Sequence, residues 1–357
     1  MERFLFKTIL LIIATGIEIC HWLFLGIDHL FFPSFRNMPV EKALFITGMP
    51  RTGSSYFFNA LLADSERFTA MKLWEILFAP SIIQKKLLLG IRKMDRRFGN
   101  RLYKKWVRIE QKIFKEVGAI HPLSLLQAEE DEFLFLHRGK SASFLFLFPR
   151  SRSVLRLVEF DESLPLQKKS SLMRYYRKCI QRHLYVFGKD RQYLAKSASH
   201  TPRLLSLKET FPDCHLVYLY RSPMQVIPST LNLFRFNFRT FHSRCTVTDI
   251  KDITFQLADR WYSYPLLLLK DYGPDFLYIV RFDEMTGNIR HAIENMYRSF
   301  QFHPGEAYLL YLERVSKEIP VSPNRYSLSE FSLSESEIRE SYQDVMLAYD
   351  EQEIFCS

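Results

Sequence analysis

The stretch that most constrains this chain is Leu44-Phe45-Ile46-Thr47-Gly48-Met49-Pro50-Arg51-Thr52-Gly53-Ser54-Ser55, an apolar run feeding a polar loop bounded by two glycines. The run is short and β-prone. The following Tyr56-Phe57-Phe58-Asn59-Ala60-Leu61-Leu62 has the apolar spacing of a buried helix, so the loop joins a strand to a helix. Such a junction suits an anion. Gly48 and Gly53 accept backbone angles that other residues resist, and the first unpaired N–H groups and the dipole of the helix attract negative charge.

The glycine spacing, with a hydroxyl at Ser55, is that of the nucleotide-binding loop G-x-x-x-x-G-K-[ST], but Ser54 replaces its lysine and the cation sits inside the loop at Arg51. The later strands end in Lys196, Arg221 and Arg281-Phe282-Asp283, with no convincing acidic strand end for magnesium, which argues against a nucleotide kinase or hydrolase. A second signal is His215-Leu216-Val217-Tyr218-Leu219-Tyr220-Arg221-Ser222-Pro223. A buried strand ends in Arg221, Pro223 opens a helix at a position it tolerates, and Ser229 follows Arg221 by eight residues, two turns that return it to the arginine's side.

On these residues the chain resembles the PAPS-dependent sulfotransferases, whose donor is 3′-phosphoadenosine 5′-phosphosulfate. Pro50-Arg51-Thr52-Gly53-Ser54-Ser55 is similar to the 5′-phosphosulfate loop P-R-[ST]-G-[ST]-[ST] of the bacterial and Golgi branches. Arg221 and Ser229 match the pair that holds the 3′-phosphate, with Arg221-Ser222-Pro223 where the family usually has R-D-P. Leu194 to His200 resembles L-x-K-[ST]-P-x-H with Ala198 in place of proline, Val280 to Met285 resembles V-R-Y-E-D-L, and Asn324 to Phe331 resembles the tail H-x-Y-S-L-E-x-F.

The resemblance implies an α/β, P-loop NTPase-like three-layer fold, a mostly parallel central sheet flanked by helices with the ligand at the carboxyl ends of the strands. It implies sulfuryl transfer from PAPS to a hydroxyl or amine without a metal. Arg51, Thr52, Gly53, Ser54 and Ser55 would hold the 5′-phosphosulfate and Arg221 with Ser229 the 3′-phosphate, while Arg325 or Tyr326 would close over the latter. Glu75, 24 positions after Arg51, takes the place of the general base, and Glu130 in Gln127-Ala128-Glu129-Glu130-Asp131-Glu132 is the second candidate. Lys196 would neutralise charge on the transferring group. Each residue also has a structural reading: a helix cap or salt bridge for Glu75, an acidic helix start for Glu130, a surface lysine at a strand terminus for Lys196, a packed loop for Arg325 and Tyr326. A non-catalytic membrane-associated protein retaining the fold is the remaining alternative.

The rest of the chain sets the context. Its 357 residues carry a formal charge of +10, which suits an anionic ligand, an acidic substrate or a membrane surface; the basic residues are dispersed, and no nucleic-acid partner is expected. Five scattered cysteines without a CxxC pattern read as reduced thiols on the cytoplasmic side. Residues 1–35 form an apolar N-terminal helix ahead of a sulfotransferase domain at 40–350. In the helix, Lys7, Glu18, His21 and Asp28 gather into a stripe roughly a quarter of the circumference wide. An interfacial helix, a single span and a helix packed on its own domain all stay open, the first leading. Of the lipid, glycan or small-molecule acceptors that the resemblance allows, this helix and the Phe-rich body suggest a lipid or other membrane-borne one. The expected elements include a short strand delivering Trp74 and Glu75, one or two helices over 82–117, a helix opening at Gln127, and a helix from Thr201 capped by His200.

Overall fold

The computed structural model describes residues 2–113, 124–241, 245–317 and 328–351, with side chains over 15–112, 124–241, 245–317 and 328–350. Five strands, β1 (Leu44–Gly48), β2 (Phe68–Thr69), β3 (Gln192–Lys196), β4 (His215–Tyr220) and β5 (Tyr278–Arg281), form a wholly parallel sheet in the order β2-β3-β1-β4-β5. Helices α1 (Glu2–Phe31), α2 (Ser54–Leu62), α3 (Leu73–Phe78), α4 (Ile82–Arg97), α5 (Arg101–Ile113), α6 (Arg152–Leu155), α7 (Phe160–Ser163) and α8 (Leu166–Phe187) precede β3. After it come α9 (Leu204–Thr210), α10 (Pro223–Thr240), α11 (Val247–Tyr272), α12 (Phe282–Gly287), α13 (Ile289–Ser299), α14 (Glu306–Val315) and α15 (Glu335–Glu351).

The central strand β1 is buried on both faces, as expected for a strand flanked by helices in a parallel sheet. Alternation divides its side chains between two cores. Phe45, with Leu216, Tyr218 and Tyr220 of β4, faces a core shared with α8, α9, α10, α11 and α15. Leu44 and Ile46, with Val217 and Leu219, face a second core built with α2, α13 and α14. This is the three-layer α/β architecture that the sequence predicts, with β1 between β3 and β4 so that their carboxyl ends converge around the loop after Gly48.

Three local expectations change, and the basic stretch takes the second of its two expected forms. Strand β2 stops at Thr69, and Trp74 and Glu75 lie instead on α3, whose start is closed by reciprocal contacts between Lys72 and Glu75. The basic stretch splits into α4 and α5 at Phe98-Gly99-Asn100, where Gly99 (φ +81°) and Asn100 (φ +60°) turn left-handed. The acidic segment leaves Glu130 extended (ψ 111°) and turns into a 3-10 helix over Asp131–Arg138. His200 does not cap a helix: its ring bonds Asp131, Nε2 to Oδ1 at 2.9 Å, inside a buried cluster with the hydroxyls of Tyr176 and Tyr193.

Helix α1 lies against α4 with its polar stripe inward. Glu18 accepts from His137 Nδ1 (2.8 Å), and His21 Nδ1 meets Gln84 Nε2 (2.7 Å). Asp28, fully buried, pairs with Arg182 Nε (2.8 Å) and accepts from the Ile82 and Ile83 amides (2.9 and 3.2 Å) at the start of α4. Among the described residues no helix is long and apolar enough to cross a membrane.

Candidate active site

The loop from Gly48 to Ser54 is built around positions that side chains resist. At Gly48 (φ +142°) a Cβ would lie 2.6 Å from the Leu219 carbonyl oxygen, and at Gly53 (φ +79°) it would lie 2.7 Å from the end of Met285. Close packing against the β4 backbone therefore requires glycine at Gly48, and the left-handed φ favours it at Gly53. Arg51 carries a side chain and still sits at φ +70°, a conformation that costs roughly 1–2 kcal/mol. The Thr52 side chain turns inward, its hydroxyl donating to the Met49 carbonyl (2.8 Å), which leaves the Thr52 backbone as its part in any anion site. Thr201 ties the loop to the turn after β3: its Oγ1 donates to Gly48 O (3.0 Å) and accepts from Gly48 N (3.1 Å).

Arg221 and Ser229 converge on this loop from β4 and α10. Arg221 Nη1 donates to the Arg51 carbonyl at 2.8 Å, and its guanidinium lies 3.8 Å from the centre of the Phe282 ring. Arg51 Nε in turn donates to Ser229 Oγ at 3.0 Å. The two arginines predicted to bind opposite ends of one ligand thus share one end of the sheet, and the contact from Arg221 steadies the strained carbonyl of Arg51.

Lys196, at the end of β3, completes the cationic rim. Its Nζ donates to Ser55 Oγ (3.1 Å) and lies 3.8 Å from both Glu129 Oε2 and Glu130 Oε1. Glu130 also accepts from Ser197 Oγ (3.0 Å) and is about one-third exposed. Beside them opens a cleft of about 610 Å³ lined by Ser55, Phe58, Phe68, Leu126, Glu129 and Lys196, among others, a volume ordinary for a small-molecule site. Glu129, which sequence reasoning passed over as one of four clustered acids, lines this cleft directly.

Glu75 does not line the cleft. Its carboxylate is buried against His183 Nδ1 (2.8 Å) and lies 4.0 Å from Lys85 Nζ, and His183 Nε2 shares a hydrogen bond with Thr69 on the cleft wall (2.9 Å). Burial favours the neutral acid, but His183, Lys85 and the Lys72 amide outweigh it and hold the Glu75 carboxyl below its usual value. Deeper still, burial pushes the Glu132 carboxyl up to about 7, although Arg203 lies 3.7 Å away. Arg325 and Tyr326 lie outside the described residues. Among the described residues no group of three or more His, Cys, Asp or Glu side chains is arranged to hold a metal ion.

Arg51, Lys196 and Arg221 thus gather around a strand-loop-helix junction at the carboxyl end of a parallel sheet, an arrangement chemically suited to an anionic ligand. A family model described as "Sulfotransferase family" matches residues 43–303, and the chain belongs to that family. The ω-hydroxy-β-dihydromenaquinone-9 sulfotransferase Stf3 of Mycobacterium bovis is 24% identical over 226 residues, 58% of this chain and 54% of that protein. The same enzyme from Mycobacterium tuberculosis matches equally, so the chain aligns with about half the length of these curated relatives. Among solved structures, sulfotransferase STF9 from Mycobacterium avium superposes with a TM-score of 0.69 at 18% identity, covering 90% of this chain and 80% of that one. STF1 from Mycobacterium tuberculosis gives 0.69 at 17% identity, covering 90% and 82%. Both share the fold.

Proposed function

We propose that this chain is a sulfotransferase that moves the sulfuryl group of PAPS to a hydroxyl of a small, lipid-like acceptor. The observation that carries the reading is the meeting of Arg51 with Ser229 and of Arg221 with the Arg51 carbonyl, which gives one ligand a cationic grip at each of two phosphates. The amides of Arg51 to Ser55 and the Arg51 side chain take the 5′-phosphosulfate, and Arg221 with Ser229 takes the 3′-phosphate. The family resemblance assigns cover of the 3′-phosphate to Arg325 or Tyr326, which lie outside the described residues. The donor supplies the sulfuryl group. No metal is needed, because fixed cations and amides stabilise the charge that develops.

The acceptor sits in the cleft beside Ser55 and Lys196. Its oxygen forms a bond to sulfur as the bond from sulfur to the bridging phosphate oxygen breaks, and Lys196 neutralises the charge left on that oxygen. Glu130, partly exposed beside Lys196 and Ser197, accepts the acceptor's proton. Glu75 serves the same site from behind its wall, fixing His183 and through it Thr69. Apolar side chains of the cleft, Phe58, Leu62, Phe68 and Leu126, favour an acceptor with an apolar body, in keeping with the menaquinone derivative named for the mycobacterial relative. We place the reaction at the cytoplasmic surface of a membrane. The test is transfer of radiolabelled sulfate from PAPS into lipid and glycan extracts: label in a lipid band supports the reading, and no transfer into any extract overturns it.

A further inference from the structure

Helices α1, α4 and α5 are turned inside out relative to an ordinary surface helix. The polar residues of α1 (Glu18, His21 and Asp28) and of α4 (Gln84, Lys85 and Asp95) face protein. Lys85 is 1% exposed, its ammonium donating to the carbonyls of Ala79 and Pro80 at 2.7 and 3.2 Å. Most apolar residues of these helices face outward, Leu25 and Ile82 being buried. On α1 the outward stripe is Ile19, Leu23 and Leu30; on α4 it is Leu87, Ile91 and Met94, continued by Phe98; on α5 it is Leu102, Trp106 and Ile109. Each stripe follows helical spacing, and most of these side chains are 40–75% exposed. Of the 26 exposed large hydrophobic residues among those described, 16 belong to α1, α3, α4, α5 or the turn after α4, so this apolar surface is concentrated on one region and not scattered.

The charge on the same region has one sign. Lys86, Lys93, Arg96, Arg97, Arg101, Lys104, Lys105, Arg108 and Lys112 are exposed, whereas the two acids of α4 and α5, Asp95 and Glu110, are both buried. Asp95 caps the start of α5 by accepting from the Leu102 and Tyr103 amides (2.9 and 3.0 Å), and Glu110 binds the Leu125 amide. On α4 and α5 the apolar stripes are flanked by cations with no exposed acid, the pattern of helices that lie in the interface of an anionic membrane. A protein partner would have to match nine cations one by one; a sheet of acidic headgroups matches them without a register.

We propose that α1, α4 and α5 form a docking face for an anionic lipid bilayer, lying flat in its interface. The face runs on to the cleft: Phe78 of α3 meets the Trp106 ring edge-on, and Glu110 of α5 holds the segment that carries Leu126 to the cleft wall. An apolar acceptor held in the bilayer therefore reaches the cleft along an apolar surface. The docking itself does not rest on the sulfuryl-transfer reading.

The test is sedimentation of the full chain with vesicles of phosphatidylcholine alone or of phosphatidylcholine mixed with phosphatidylglycerol. The protein is expected to pellet with the mixed vesicles, less so at high salt, and to stay in solution with the neutral ones. Two variants probe the face without touching the cleft. M94E with L102E removes apolar contact at exposed positions, K104E with K105E reverses two charges, and each pair is expected to lower vesicle affinity about tenfold or more while melting temperature holds. L347E, exposed on α15, is the control expected to bind as the unmodified chain does. Equal binding by all four proteins overturns the proposal. So does a stable dimer, seen by light scattering, that M94E with L102E dissociates in a chain that never binds vesicles.

Discussion

Replacing Arg221 by alanine separates the two ends of the proposed ligand. The side chain supports the loop through the 2.8 Å bond to the Arg51 carbonyl and its stacking on Phe282, and the loss of these contacts weakens every ligand of the loop alike. Its contact to a 3′-phosphate weakens only ligands that carry one. A charge-assisted hydrogen bond contributes about 1.5–3 kcal/mol, so the preference for adenosine 3′,5′-bisphosphate over adenosine 5′-monophosphate should shrink about 10- to 150-fold in R221A. In S229A, which removes one neutral donor that also accepts from Arg51 at 3.0 Å, the preference should shrink about fivefold, for roughly 1 kcal/mol. Titration calorimetry with both nucleotides on each protein measures the ratio and cancels the shared effect on the loop. If R221A weakens both nucleotides by the same factor, Arg221 acts only through the Arg51 carbonyl and the assignment of the 3′-phosphate is wrong.

Other outcomes follow from the same geometry. E130Q should lower kcat about 100-fold or more while leaving the affinity for adenosine 3′,5′-bisphosphate unchanged; a wild-type kcat moves the base to another carboxylate. D28N leaves Arg182 buried beside an uncharged partner and weakens the cap on α4, so chemical denaturation should show a loss of about 3–5 kcal/mol. Glu132 titrates near 7 in the folded chain, above its value in an unfolded chain, so folding takes up a proton there. Its contribution is fully present below about 4.5 and is lost as pH rises toward 7, on the order of 3 kcal/mol over that window. E132Q should therefore flatten the fall in melting temperature between those pH values, whatever its absolute stability; an unchanged slope assigns the fall to other groups.

The parts of the site carried by local pattern were legible in the sequence. Gly48, Arg51 and Gly53 announce a strand-loop-helix anion site because glycine spacing and a helix start are short-range properties. Arg221 and Ser229 could be paired because two helical turns separate them. The stripe of Glu18, His21 and Asp28 was visible as periodicity, and it does share one face of α1. Its direction was not visible, because the partners that draw it inward, His137, Gln84 and Arg182, lie 63 to 154 residues away. The same limit explains the misread segments. Trp74 and Glu75 looked like a strand end, but the reciprocal cap with Lys72 and the distant His183, 108 residues on, favour a helix and draw the carboxylate away from the cleft. His200 looked like a cap until Asp131, with Tyr176 and Tyr193 around it, claimed its ring. Glu129 was hidden among neighbours of the same charge, and only the fold separates the acid that lines the cleft from the one that packs against Arg203.

The most direct test is a crystal structure of the protein with adenosine 3′,5′-bisphosphate. The account predicts the 5′-phosphate against the amides of Arg51 to Ser55 and the 3′-phosphate within hydrogen-bond reach of Arg221 and Ser229. A nucleotide bound in the reverse sense, or away from both arginines, contradicts it.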